Sequence, residues 1–109
     1  MINFDTTIWE NNINQQFAKS LVDIVDIKIM ENFLRDVMTE KEITEISSRL
    51  EAARMLQLGK KYTEIINVTK LSSRTVARIS DWMNNGCKGY IKILNKTNHK
   101  DHIKPVSAV

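Results

Sequence analysis

The chain has 109 residues, one cysteine and a net charge of +3, with 42% hydrophobic and 27% charged residues, which suits one domain and leaves no stretch apolar enough for a membrane span. Cys87 alone excludes an intramolecular disulfide or a cysteine-based metal site and fits a reduced thiol in the cytoplasm. The N-terminus is neither basic nor followed by a long apolar run, so no signal peptide is expected. Ile8 or Trp9, Ile13, Phe17, Leu21 and Ile24/Val25 recur at helical spacing and predict a long first helix opening near Asp5–Thr7. A second is predicted from about Asp26, with Ile29, Met30, Phe33, Leu34 and Val37 on one face, ending at Met38–Thr39. Thr39-Glu40-Lys41-Glu42 reads as a capping box for a third helix. That helix would turn Ile43, Ile46, Leu50, Ala53 and Leu56 inward and stop at Gly59.

Residues 64–80, EIINVTKLSSRTVARIS, carry the functional signal. Their spacing predicts two short helices joined by a tight turn, the second opening at a Ser72 N-cap. Ile65, Leu71, Val76 and Ile79 would be buried, while Ser73, Arg74, Ala77 and Arg78 face outward. A helix presenting small polar residues and arginines can enter a major groove and bond base edges. The reading is helix-turn-helix, with the second helix ending near Met83. Asn84-Asn85-Gly86 signals a turn, Gly89 to Leu94 a last short helix, and residues 96–109 a disordered tail, leaving one domain over 1–95. Only three glycines and one proline punctuate the chain, as an all-α domain of about six helices requires.

Charge divides along the same line. Residues 1–58 hold 6 Lys/Arg against 10 Asp/Glu, and residues 59–109 hold 10 against 3, so nets of −4 and +7 give the total of +3. A basic half containing the motif is what phosphate neutralisation requires. Base-edge contact falls to Ser73, Arg74 and Arg78, with Arg74 suited to a bidentate guanine contact and Thr75 in reserve. Ser72 would cap the helix beside a phosphate, and Lys60, Lys61 and Lys70 in the flanking turns would touch phosphates only.

From Met38 to Gly89 the runs MTEKEITEISSRLEAARMLQLGK, KYTEI, SSRTVARIS and NNGCKGY resemble the Trp repressor superfamily, particularly its YerC/YecD-type branch. The likeness extends over roughly Val22 to Leu94. It implies an intertwined, all-helical homodimer and transcriptional regulation. It also implies candidate effector-binding positions at Thr39, Arg49 and Arg78, where the tryptophan-binding branch holds its indole between two arginines. Ile79 stands where that branch has glycine, and a branched side chain there should fill the space the indole needs. Thr39 as an N-cap, Arg49 paired with Glu45 and Arg78 on a phosphate are the plain alternatives. Three residues depart from ordinary helix-turn-helix usage: Ile66 replaces a small residue, Lys70 a turn glycine and Lys61 a Ser/Thr cap.

The expectation is therefore a cytoplasmic, homodimeric, sequence-specific DNA-binding regulator, a repressor, with double-stranded DNA as partner and no cofactor. A tryptophan-responsive repressor and a protein-interaction module without DNA binding are the alternatives. An enzyme is not expected, because His99 and His102 lie only in the tail; His99-Lys100-Asp101-His102 lacks the fixed scaffold of a metal site.

Overall fold

The computed structural model of the chain describes residues 7–101, with side chains through Lys96. Among them are six helices and no strand: α1 (Asn12–Val22), α2 (Ile27–Val37), α3 (Glu40–Gln57), α4 (Tyr62–Thr69), α5 (Ser73–Asn85) and α6 (Gly89–Asp101). They form two compact units divided after Thr44, within α3.

In the N-terminal unit, the long first helix expected from periodicity is split. Thr7–Glu10 forms a 3₁₀ turn, and α1 begins only after Asn11. The Asn11 carboxamide oxygen accepts from the amides of Ile13 at 2.9 Å and Asn14 at 3.2 Å, so a local cap interrupts a continuous apolar pattern. The expected opening at Asp5 lies outside the described residues. Asp26 caps α2 in the same way, accepting from Lys28 and Ile29. Phe17 of α1 and Phe33 of α2 stack with ring centroids 6.3 Å apart. No described residue of this unit is buried.

The capping box of α3 is formed: the Glu42 amide donates to Thr39 Oγ1 at 3.1 Å, and the Thr39 amide donates to Glu42 Oε1 at 2.8 Å. At its other end Gly59 has φ +79°, and the Lys60 amide closes back on the Met55 carbonyl at 3.0 Å, a Schellman stop that needs the left-handed residue.

The C-terminal unit holds the core. Ala52, Ala53 and Met55 of α3 meet Ile65 of α4, Val76, Ile79 and Met83 of α5 and Leu94 of α6, with Ile66, Leu71, Tyr90 and Ile91 packed against them. The inward face of α3 thus differs from the one expected. Ala53 is buried and Leu56 partly so, but Ile46 and Leu50 remain 54% and 41% exposed, and Ala52 and Met55 are enclosed instead. Small side chains let α3 approach α4 and α5 closely, which the larger Ile46 and Leu50 would prevent. Two helices outrun their expected ends: α5 continues through Asn84 and Asn85 to a Gly86 cap, and α6 continues past Leu94 to Asp101. Residues 102–109, including His102, lie outside the described residues.

Candidate nucleic-acid interface

The turn Lys70-Leu71-Ser72 joins α4 to α5, and buried Thr69 ties it together. Thr69 Oγ1 donates to the Ile65 carbonyl at 2.8 Å and accepts from the Leu71 amide at 3.3 Å. Spacing of apolar residues gave no hint of this role, because the signal is a hydroxyl four residues after Ile65. Lys70 caps α4 at φ +62°, ψ +14°, its amide bonded to Ile66 at 2.9 Å. Lysine therefore holds a left-handed conformation that glycine adopts freely, at a cost of about 1–2 kcal/mol. Glycine loses more unfolded-state entropy, worth about 0.4–1 kcal/mol, so the strain outweighs it. Lys70→Gly should raise the urea midpoint with an unchanged m value, a net gain of about 0.5–1 kcal/mol. Lys61 precedes α4 with no side-chain cap bond, and Ile66 is half-buried against the core.

At the start of α5, Ser72 Oγ accepts from the Thr75 amide at 3.1 Å and donates to Thr75 Oγ1 at 3.0 Å. Half-buried Thr75 is thus engaged in the cap rather than projecting into a groove. The first turn of α5 carries no acid, and the amides of Ser73 and Arg74 have no acceptor within the helix, so its positive end is open to an anion. Val76 and Ile79 are 0% exposed beneath it, while Ser73, Arg74, Ala77 and Arg78 are exposed. The Arg78 guanidinium lies 6.0 Å from the Trp82 ring centroid, within reach of a cation–π contact that narrows its conformations. Trp82, one turn after Arg78, went unassigned in the sequence although its i+4 spacing carries the signal.

The charges fall into two sets. Ion pairs link Lys28 to Glu31, Arg35 to Glu40, Arg49 to Glu45, Arg54 to Glu51 and Lys60 to Glu64. Among the described residues none of these engages Lys61, Lys70, Arg74, Arg78, Lys88, Lys92 or Lys96. The Arg54–Glu51 pair is bidentate at 2.8 and 2.7 Å, and that hydrogen bonding raises the arginine's pKa against the opposing effect of burial.

The three effector-type positions serve local structure. Thr39 caps α3, and Arg49 Nη2 donates to Glu45 Oε1 at 3.3 Å while its enclosed Nε finds no acceptor. Half-buried Tyr90 feels Arg49: burial raises its phenol pKa, and the guanidinium partly offsets that rise. No hydrogen bond or ion pair joins Arg49 to Arg78.

Comparisons with known proteins fit this geometry. The family model described as Trp repressor protein matches residues 13–98. An uncharacterized Bacillus subtilis protein, YerC, is 32% identical over 81 residues, covering 74% of this chain and 78% of its own. A TrpR-like protein from Eubacterium eligens superposes with a TM-score of 0.80 at 26% identity, over 85% of this chain and 96% of that one. A Staphylococcus aureus chain proposed as a Trp repressor gives 0.78 at 22% identity, over 87% and 96%, and shares the fold. An all-helical chain whose α4–α5 turn sets an exposed arginine face over a sealed core belongs, on these matches, to the Trp repressor family.

Proposed function

We propose that this chain is a homodimeric, sequence-specific DNA-binding repressor that reads the major groove with α5. One observation carries the reading: Ser73, Arg74, Ala77 and Arg78 form an exposed face over buried Val76 and Ile79, with no carboxylate paired to either arginine. Arg74 and Arg78 contact base edges, Ser73 supports them, and Ser72 with the open α5 amides holds a phosphate. Thr75 acts through the cap. Lys60, Lys61 and Lys70 neutralise phosphates, with Lys60 exchanging Glu64 for one of them.

A second copy accounts for the N-terminal unit. Ile13, Val22, Val25, Ile27, Ile29 and Val37 are all about half exposed or more, far more apolar surface than a small stable unit leaves in water. A two-fold dimer covers such a face and presents two reading helices to successive major grooves. The working compartment is the cytoplasm, where DNA is accessible and Cys87 stays reduced.

Tryptophan control is not part of the proposal. Ile79 is spent in the core, and the Arg49 guanidinium is engaged by Glu45. Calorimetric titration with tryptophan should give no binding heat; micromolar affinity would restore the ligand-controlled alternative.

Capture of fragmented genomic DNA from the source organism tests the main reading. Enrichment of a few palindromic sites upstream of genes is the expected result. Failure to retain any duplex at low salt would overturn it and favour a module that docks on protein.

A further inference from the structure

From Trp82 to Lys100 the chain contains Lys88, Lys92, Lys96 and Lys100 and not one Asp or Glu. The four-residue spacing places successive lysines on one face of α6, about 6 Å apart along its axis. Tyr90, Ile91 and Leu94 turn α6 toward the core, so Lys88, Lys92 and Lys96 lie on the opposite side, and all three are exposed. Lys88 has a local role: its Nζ donates to the Asn84 carbonyl at 2.6 Å, at the negative end of α5. Lys92 and Lys96 have no ion pair or hydrogen bond through their side chains.

Local electrostatics argues against this arrangement in an isolated helix. Like charges four residues apart repel, by about as much as opposite charges at that spacing attract. Lys92 also sits in the first turns of α6, near the positive end of the dipole, where no acid offsets it. Elsewhere the same chain does the reverse: α3 pairs Arg49 with Glu45 and Arg54 with Glu51. A stripe that repels itself and is left without counter-charges is matched to a polyanion supplied from outside.

We propose that Lys92 and Lys96 form a second phosphate-contacting surface, which engages the backbone of the duplex that α5 reads. This rests on the DNA-binding reading above. Duplex DNA is favoured over other polyanions because α6 packs in the same unit as α5, whose arginines are equally free of carboxylates. The stripe supplies affinity without base discrimination, since ammonium groups on phosphates carry no sequence information.

Fluorescence anisotropy with a mixed-sequence 30-base-pair duplex across a salt series tests it, using wild type, Lys92→Gln/Lys96→Gln, Lys41→Gln and Arg74→Ala. The double variant should lower the slope of log affinity against log salt by about 1.8, from about 0.9 per lost phosphate contact. It should melt no lower than wild type, because a repulsive pair is removed. Lys41→Gln, on α3, should leave the slope unchanged. A double variant with the wild-type slope, beside an Arg74→Ala protein that binds more weakly, overturns the stripe and leaves the reading helix standing. Wild type that binds no duplex, including one that binds only anionic vesicles, overturns both.

Discussion

Replacing Arg74 with alanine should weaken binding to the cognate site by about 1–3 kcal/mol, roughly ten- to hundredfold, and relax discrimination at one base pair. Two bidentate hydrogen bonds to a guanine edge are lost, and nothing nearby can replace them. The fold should be unaffected, because Arg74 is exposed and makes no ion pair, while the adjacent Ser72–Thr75 cap is independent of it. Lys61→Ala provides the contrast: it should weaken every sequence alike and lower the salt slope by about one unit. Arg78 adds a further test through Trp82. Trp82→Ala should mimic part of the Arg78→Ala loss by freeing the guanidinium, whereas Trp82→Phe should retain most binding, since a phenyl face still attracts the cation. Competition titrations against single-base-pair variants of the recovered site measure all of these. Equal losses on every sequence from Arg74→Ala and Lys61→Ala would remove the base-reading assignment.

What could be read beforehand was local. The Thr39 box, the Gly59 stop, the Asp26 cap and the Ser72 cap each need only a few neighbouring residues, and each stands where the sequence put it. The burial of Ile65, Val76 and Ile79 was legible too, because helical period alone separates them from Ser73, Arg74 and Arg78. Cases in which two signals competed were not. Apolar spacing from Ile8 to Phe17 concealed the Asn11 cap, although Asn directly before a periodic run is itself a start signal. The end of α6 has no apolar repeat and read as a tail, yet a helix continuing from a docked segment needs none. For α3 the periodicity was right and its partner was wrong: Ile46 and Leu50 form a real stripe, but the core of their own unit is built on Ala52, Ala53 and Met55. Of the site, the sequence disclosed the arginines and missed what holds them, Trp82 beside Arg78 and Thr69 under the turn.

Ile13→Glu and Ile27→Glu should each convert the dimer to monomer at micromolar concentration. Both residues lie in the first turn of a helix, Ile13 after the Asn11 cap of α1 and Ile27 after the Asp26 cap of α2. Glutamate there suits the helix dipole, so the substitution does not weaken the helix that carries it. The side chains are 77% and 73% exposed in the single chain, and a surface change of this kind ordinarily shifts stability by no more than about 0.5 kcal/mol. If a second copy covers them, the arithmetic changes. Burying one isoleucine contributes about 1.5–3 kcal/mol, and two-fold symmetry counts each substitution twice. The expected loss is about 3–6 kcal/mol, roughly a hundred- to ten-thousandfold in dissociation constant, before any cost of enclosing the carboxylates. Sedimentation velocity over a concentration series reads this directly. The same variants should lose cooperative binding to a palindromic site while keeping the Arg74-dependent preference within each half. Helical content should fall with dimer dissociation, because the N-terminal unit buries none of its described residues by itself. A wild-type chain that sediments as a stable monomer, or variants indistinguishable from it in mass, would sink the dimer and leave the exposed α1 and α2 residues to a different partner.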